Sequence, residues 1–271
     1  MTVAGVPVVI LAGGRGARFD HESQVLPKPL IKVAGKPMLQ HIIDSLALQG
    51  FREFIVAAGY LGNAIRRHFE EAGDDAVSCP RIDDPQPWHW VYTLAGGMLR
   101  VTVVDTGQDA HTGLRLWRVR EHIAGRRFVL TYGDGLSDVG MHAVLRQHEL
   151  TGAAVTMTAV HPPSRFGLIR FAPHSGSSGA VASFDEKPSG GWINGGFMVV
   201  EPEFIEQYIE GEFELESTAL RELAASGGLH AYRYTGYWRC MDTRRDLEQI
   251  EADVAAAGGR LPWLRDDHNK R

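Results

Sequence analysis

Blocks of apolar and polar residues alternate along the first 160 residues and predict strands and helices in turn. Residues 7–12 are almost continuously apolar, which predicts a strand buried on both faces, as in a parallel sheet. Apolar side chains then recur at helical spacing over residues 38–46, with Pro37 placed at the first turn and Gly50 after the last. The pattern therefore opens with a buried strand followed by an amphipathic helix.

The same alternation continues as far as residue 160. The predicted strands cover residues 53–58, 100–105, 128–132 and 154–160. The predicted helices lie at residues 62–71, at residues 112–123 with Thr112 as the cap, and around Met141, Val144, Leu145 and His148. This order predicts an α/β fold built on a doubly wound, mostly parallel, Rossmann-like sheet.

Residues 72–98 interrupt the alternation. Prolines, tryptophans and the Gly96-Gly97 pair give no clean period there. Two interpretations stay open: a long surface excursion with some aromatic packing, or a subunit contact or lid, because aromatic residues are enriched in interfaces.

After Pro163 the pattern changes to short alternating strands. They are expected at residues 166–171, 181–186 and 194–200, and they predict an antiparallel extension of the parallel sheet. Further elements are expected in the order helix 201–209, helix 216–225, strand 229–234, short strand 237–238 and closing helix 243–257.

Composition and charge exclude several classes of protein. The formal net charge of −5 provides no basic surface for nucleic acid. No apolar run approaches the roughly 20 residues that span a bilayer, and the N-terminal segment lacks the basic start of a signal peptide. The two cysteines, Cys79 and Cys240, form neither a disulfide framework nor a C-x-x-C metal motif. We therefore expect a cytoplasmic protein that binds any metal through oxygen.

The stretch after the first strand carries the strongest chemical signal. Gly13, Gly14 and Gly16 allow backbone N–H groups to approach phosphate oxygens closely. Arg18 and Lys28 add positive charge, and Lys28 stands between two prolines that stiffen the chain. A glycine turn after a strand is common, but two basic residues in one rigid loop favour phosphate binding. The loop matches neither a P-loop nor a dinucleotide fingerprint.

Two aspartates are candidates for metal binding. Asp134 lies between glycines at the carboxyl end of an inner strand, which is the sheet edge where α/β proteins bind ligands. Asp242 lies between an aromatic-rich strand and the closing helix. Each also has a structural interpretation, as an Asx turn for Asp134 and as a helix N-cap for Asp242. Asp138 is expected to cap a helix.

The second half of the chain offers polar groups suited to a sugar. Asn194 presents an amide donor and acceptor and is followed by Gly195, which permits close approach. A β-bulge is the alternative there. Glu186 and Lys187 follow a strand and equally fit an exposed charge pair. The twelve histidines show no ligand spacing, and no Ser-His-Asp pattern is visible.

Taken together, these segments resemble the sugar-1-phosphate nucleotidyltransferase family, and within it the glucose-1-phosphate cytidylyltransferase branch. The resemblance rests on a set of segments in family order: LAGGRGARF, LPKPLIKVAGKPML, VDTG, TGLRL, TYGDGLSD, PPSRFG, FDEKP, INGGF and YWRCMDT. It implies one domain over residues 1–271, with a nucleotide-binding half at 1–160 and a sugar-phosphate-binding half at 161–271.

The resemblance also implies roles for individual residues. The catalytic residues would be Arg18, Lys28, Asp134, Lys187 and Asp242. The nucleotide would be bound by Leu11, Ala12, Gly13, Gly14, Gly16, Thr112, Arg115 and Gly133. The sugar phosphate would be bound by Gly167, Glu186, Lys187, Asn194 and Gly195. Mg²⁺ would be held by Asp134 and Asp242, since this ion prefers carboxylates together with substrate phosphates.

The reaction implied is attack of a sugar 1-phosphate on the α-phosphorus of an NTP, with CTP and glucose 1-phosphate as expected substrates. A homo-oligomer is also expected, with neither nucleic acid nor membrane as a partner. Another base or a specialised sugar stays open, because Leu26 and Thr218-Ala219 depart from the Lys and Glu-Pro of the branch. A glycosyltransferase using Asp134 and Asp138, or a non-catalytic nucleotide-binding subunit, fits the basic loop and the paired carboxylates less well.

Overall fold

The computed structural model describes residues 3–16, 26–72, 89–94, 98–162, 168–173, 179–186, 191–209 and 211–264. The strands are β1 (Val8–Ala12), β2 (Lys32–Val33), β3 (Lys36–Pro37), β4 (Glu53–Ala58), β5 (His89–Leu94), β6 (Leu99–Asp105), β7 (Phe128–Tyr132), β8 (Gly135–Ser137), β9 (Val155–Val160), β10 (Leu168–Phe171), β11 (Val181–Asp185), β12 (Ile193–Asn194), β13 (Met198–Val200), β14 (Leu229–Arg233) and β15 (Trp238–Cys240). The α-helices are α1 (Met38–Leu48), α2 (Gly62–Ala72), α3 (Thr112–Ile123), α4 (Met141–Thr151), α5 (Glu203–Tyr208), α6 (Ala219–Ala225) and α7 (Arg244–Ala256).

A central sheet organises the molecule. Its middle is parallel, in the order β7-β1-β4-β6, and β5 adds an antiparallel edge beside β6. On the other side, β13 pairs antiparallel with both β7 and β9, while β14 runs parallel to β9. The predicted α/β fold with a Rossmann-like sheet is confirmed, and the antiparallel contribution lies largely within the central sheet.

Helices cover both faces of this sheet because side chains of each strand alternate between them. In β1, Val8 and Ile10 pack on one face with residues of α1, α2, α4 and α7. Val9 and Leu11 pack on the other face with residues of α3, α5 and α6. All four of these side chains are buried, which explains why the first strand is apolar at every position.

The predicted strand at 194–200 is wrong as a single element. Asn194 ends β12 and Met198 begins β13, and the chain between them passes through positive φ at Gly196 and Phe197. Both short strands pair with β9 in the central sheet, so they do not belong to a separate extension. The extension that the structure describes is the antiparallel pair of β10 and β11.

Part of the irregular stretch 72–98 is regular. Residues 89–94 form β5, which pairs antiparallel with β6 from His89 opposite Val104 to Leu94 opposite Leu99. The strand lies at the edge of the sheet and pairs on one side alone. Prolines and glycines flank it in the sequence and interrupt the pattern by which a strand is predicted. Residues 73–88 and 95–97 lie outside the described residues, and the subunit contact or lid remains a hypothesis.

The chain ends by returning to the core. Thr243 and Asp246 form a reciprocal capping box that begins α7, so Thr243, and not Asp242, is the N-cap. Beyond α7, Trp263 is fully buried against His41 and Tyr237, and its carbonyl accepts a hydrogen bond from Ser45. In the part of the chain that the structure describes, no helix is long and apolar enough to cross a membrane.

Candidate active site

A cavity of about 440 Å³ lies at the carboxyl ends of the parallel strands. It is lined by the glycine loop after β1, the start of α3, the end of β7 and parts of the segments before α6 and α7. Every residue predicted to bind the nucleotide lies in its wall, namely Leu11, Ala12, Gly13, Gly14, Gly16, Thr112, Arg115 and Gly133. Lys28, Asp134 and Asp242 lie in the same wall. Topology therefore gathers these predicted residues in one place.

Lys28 connects the two candidate metal ligands. Its Nζ lies 2.8 Å from the Asp134 carboxylate and 2.6 Å from the Asp242 carboxylate. The lysine begins a 3₁₀ turn after Pro27, and its side chain is 9% exposed. Burial alone would lower the pKa of Lys28, but the charges of Asp134 and Asp242 outweigh it and raise that pKa. The ammonium is thus held in its charged form between two carboxylates.

A short antiparallel pairing brings the two aspartates together. Gly135 of β8 lies opposite Cys240 of β15, so Asp134 and Met241 continue the pair, and Met241 N donates to Asp134 O over 2.9 Å. Asp242 follows one residue later. Asp134 thus precedes a strand, and not the helix that an Asx-turn cap would require.

The donor set fits Mg²⁺ through its oxygens. Carboxylate oxygens of Asp134 and Asp242 and the thiol of Cys240 all lie within 4.8 Å of one another. Burial, followed by the charges of the two aspartates, raises the pKa of Cys240 well above its ordinary value. A protonated thiol is a poor ligand for a hard cation, whereas two carboxylates are the ligands that Mg²⁺ commonly takes. The structure therefore fits a magnesium site of two aspartates.

Arg115 holds the glycine loop in place through hydrogen bonds. Its guanidinium donates to Gly13 O and Gly107 O over 2.8 Å each, and to Thr106 Oγ1 over 2.7 Å. A Cβ atom on Gly13 or on Gly59 would collide with this guanidinium. Burial lowers the pKa of Arg115. Arg115 lines the cavity, and several of its donors are directed at backbone carbonyls of the loops around it. Its role in binding the nucleotide stays a prediction.

A second ion pair crosses from the glycine loop to the segment before α3. Arg15 contacts the Asp109 carboxylate, and its guanidinium lies 5.5 Å from the centre of the Tyr60 ring. Both charged side chains are more than half exposed. Sequence reasoning assigned no role to Asp109, because a lone acidic residue in a loop carries no signal of its partner.

Glu216 forms another acidic part of the cavity wall. Glu216 Oε1 accepts from the Tyr132 hydroxyl over 2.6 Å, and Oε2 accepts from Thr112 Oγ1 over 3.0 Å. Thr112 Oγ1 also accepts from Leu215 N. The predicted cap at Thr112 is wrong, because His111 is the N-cap and the Thr112 hydroxyl serves this connection.

Sequence reasoning missed Tyr132 and Glu216. The signal that could have found Tyr132 is its position two residues before Asp134, at the ligand-binding edge of the sheet. Burial first, and the charge of Glu216 second, raise the pKa of Tyr132 far above its ordinary value, so the hydroxyl stays a neutral donor. Glu216 lies in the loop before α6, where the sequence predicted a helix from residue 216 and assigned no role to this glutamate.

The described residues predicted to bind the sugar phosphate border this wall or lie apart from it. Asn194 donates to the Tyr132 hydroxyl over 3.1 Å and accepts from Gly196 N, and Gly195 O accepts from Trp238 Nε1. Glu186 is exposed just after β11. None of the three, Glu186, Asn194 or Gly195, lines the 440 Å³ cavity.

Two further outcomes concern predicted residues. Asp138 accepts from the Tyr234 hydroxyl and from Tyr237 N, whereas Gly140 is the N-cap of α4. The predicted cap is therefore wrong, and Asp138 joins β8 to the segment before β15. Arg18, Gly167 and Lys187 lie outside the described residues, so their roles remain predictions.

Comparison with known proteins agrees with this geometry. The profile of the nucleotidyl transferase family matches residues 7–255. A glucose-1-phosphate cytidylyltransferase of Salmonella typhi is 35% identical, over 94% of this chain and 97% of its own length. A probable glucose-1-phosphate cytidylyltransferase of Bacillus subtilis is 32% identical, over 89% of this chain and 93% of its own.

A solved structure supports the fold alone. The UDP-glucose pyrophosphorylase from Acinetobacter baumanii superposes with a TM-score of 0.66 at 16% identity, over 95% of each chain. With the paired carboxylates at the sheet edge and the match along nearly the whole sequence, the chain belongs to the nucleotidyl transferase family and is a sugar-1-phosphate nucleotidyltransferase.

Proposed function

We propose that this enzyme transfers a cytidylyl group from CTP to glucose 1-phosphate, with Mg²⁺ held by Asp134 and Asp242. The observation that carries the chemistry is the Lys28 ammonium between the two carboxylates, at the wall of a cavity that the glycine loop borders. The identity of 35% to a glucose-1-phosphate cytidylyltransferase, along 94% of the chain, supports the choice of base and sugar.

In the proposed reaction, a phosphate oxygen of the sugar 1-phosphate forms a bond to the α-phosphorus of CTP. The bond from that phosphorus to the bridging oxygen of the β-phosphate breaks, and pyrophosphate leaves with the electron pair. No protein nucleophile is required, so the protein contributes position and charge. Magnesium, when bound, would neutralise phosphate charge and orient both substrates.

The chain's own groups have separate tasks in this reaction. Gly13 and Gly14 line the cavity, and their backbone N–H groups would donate to a polyphosphate bound there. Arg115 keeps this loop in place through Gly13 O. Lys28 supplies a positive charge that would balance the departing pyrophosphate.

One residue, Leu26, supports a nucleotide other than CTP as the alternative substrate. Leu26 is 37% exposed in the loop that leads to Lys28, and it brings no charge to a position where the resembling branch has lysine. GTP, dTTP or UTP would keep the same chemistry, because the two aspartates and Lys28 act on phosphates and do not contact a base.

The test is pyrophosphate release with each of CTP, GTP, dTTP, UTP and ATP, in the presence of Mg²⁺ and a panel of sugar 1-phosphates. Release with CTP and glucose 1-phosphate above all other pairs is the expected result. Release with another pair retains the transfer chemistry and corrects the substrate. Absence of release with every pair contradicts the proposal.

A further inference from the structure

Glu216 is a carboxylate whose role the proposed reaction leaves open. It lines the cavity and accepts hydrogen bonds from two neutral hydroxyls, those of Tyr132 and Thr112. These partners come from different elements, because Tyr132 ends β7 and Thr112 begins α3. Leu215 N fixes Thr112, and Asn194 fixes Tyr132. The orientation of the carboxylate is therefore set before any ligand binds.

This carboxylate has the capacity for further donors. An ionised carboxylate accepts about four hydrogen bonds, and two side chains of the described residues donate to Glu216. Within the described ranges, no lysine or arginine forms an ion pair with it, and it lies outside the group of Asp134, Cys240 and Asp242. A half-buried carboxylate that lines the cavity and forms no ion pair with a described cation is suited to neutral O–H donors.

The charge of Glu216 suits a different part of the substrates from the part that binds at Lys28. A negative carboxylate repels phosphates, which would collect at the glycine loop and Lys28. Tyr132 and Asp134 both line the cavity, and because they are two residues apart in the chain their Cα atoms are separated by at most about 7 Å. The ring of a substrate whose phosphate lies at Asp134 would therefore extend to the hydroxyls around Glu216.

We propose that Glu216, oriented by Tyr132 and Thr112, binds a ring hydroxyl of a substrate and thereby selects substrates that carry this hydroxyl. The inference rests on the proposed function, in which the substrates carry two sugar rings, the ribose of the nucleotide and the hexose of the sugar 1-phosphate. The recognised chemistry, a hydroxyl donating to a fixed carboxylate, is the same in both.

The test compares wild-type enzyme with Glu216→Gln, an isosteric change. Because hydrogen bonds to a charged group contribute about 1.5–3 kcal/mol, we expect kcat/KM to fall about 10- to 100-fold with the natural substrates. The ratio of the wild-type kcat/KM to the Glu216→Gln kcat/KM is then measured with 2′-deoxy- and 3′-deoxynucleotides and with singly deoxygenated glucose 1-phosphates. The ratio should fall to about one for the analogue that lacks the contacted hydroxyl. A nucleotide analogue identifies the ribose, and a sugar-phosphate analogue identifies the hexose.

Glu222→Gln is the matched control, since Glu222 is an exposed glutamate on α6 in the same segment of the chain. It removes an equal charge and should leave every ratio at one. An equal loss with all analogues would indicate a structural role for Glu216 and overturn the proposal, as would an unchanged kcat/KM.

Failure of the proposed function is recognised separately. It appears as a wild-type enzyme that turns over no substrate pair at all. In that case, calorimetry measures the Kd of the same nucleotides, sugar phosphates and deoxy analogues for wild-type and Glu216→Gln enzyme. The ratio of the two Kd values then replaces the ratio of kcat/KM. A selective loss of binding supports the assignment of Glu216, and a uniform or absent loss contradicts it.

Discussion

The cavity has two acidic ends that differ in what their carboxylates contact. At one end, Asp134 and Asp242 contact the Lys28 ammonium at 2.8 and 2.6 Å. At the other end, Glu216 contacts the hydroxyls of Tyr132 and Thr112. The same functional group is thus surrounded by charge in one place and by neutral donors in the other. The comparison teaches that the partners of a carboxylate, more than its presence, indicate which ligand it takes.

The two ends are also built differently. The aspartates flank one antiparallel pair, β8 with β15, so a single backbone pairing fixes both. The surroundings of Glu216 are assembled from the end of β7, the start of α3 and the segment before α6. We expect substitutions at the first end to affect the chemical step and substitutions at the second to affect choice of substrate.

The largest effect should come from Asp134→Ala. Removing one of two carboxylates that fit Mg²⁺ should lower kcat about 10³-fold, as the loss of a group that stabilises transition-state charge does elsewhere. Initial rates of pyrophosphate release check this. Cys240→Ser is the control, and it should retain turnover because the thiol is not expected to bind the metal. Near-normal turnover in a folded Asp134→Ala enzyme would remove Asp134 from this role.

Lys28→Met should rank next, with kcat lower by about 10²-fold. The substitution removes the positive charge between the aspartates and keeps an unbranched side chain that is one atom shorter. Lys28→Arg is the informative companion, since a planar fork cannot replace a point charge in a 9% exposed position. Full activity of Lys28→Arg would show that charge alone, and not its placement, matters at this end.

Arg115→Met should act through the glycine loop that follows β1. It removes the side-chain donor to Gly107 O and one of two donors to Gly13 O, which also accepts from Tyr60 N, and this costs about 1–3 kcal/mol of unfolding free energy. Urea denaturation measures the loss, and the KM for the nucleotide should rise more than that for the sugar phosphate. Arg118→Met, which removes a donor to Thr106 O, serves for comparison. An unchanged unfolding free energy would contradict the bracing role.

Tyr132→Phe tests the other end with a smaller change. It removes one hydroxyl that orients Glu216, which should lower kcat/KM about fivefold, in line with about 1 kcal/mol for a hydrogen bond. The measurement is kcat/KM for the natural pair of substrates and for the deoxy analogue that is insensitive to Glu216→Gln. A larger loss in kcat than in kcat/KM would place Tyr132 with the chemical end instead.

The smallest effect concerns His148, which lies outside the cavity wall and contacts Thr156 and Glu201. Burial lowers the pKa of His148, against the opposing influence of Glu201, below its ordinary 6.5. The unfolded chain then binds the proton more readily, so stability falls as the pH drops below about 6.5 and approaches the folded-state pKa. Thermal unfolding between pH 8 and pH 5 should reveal a declining Tm. His148→Gln should flatten that decline, and an equal slope in both proteins would exclude this histidine as a source.

Much of the scaffold followed from the sequence because burial leaves a periodic trace. The bounds of β4 and β7 agree with the predicted strands, since both are short apolar runs with clear ends. The glycine loop and both aspartates could be named as candidates for a related reason, because glycines and acids at strand ends stand out against apolar neighbours. The strand β5 and the split at residues 194–200 were not visible, because edge pairing and positive φ do not require a period.

The sequence by itself therefore determined the order of most elements, the burial of the central strands and the candidate residues Lys28, Asp134 and Asp242. Only the tertiary structure decided which groups meet. Periodicity predicts whether a side chain is buried but not which residue it contacts. The sequence therefore does not predict that Tyr132 contacts Glu216, 84 residues away. The same holds for Arg115, whose guanidinium reaches Gly13 O across 102 residues. Such contacts depend on how the strands and helices stack, and stacking is a property of the whole fold.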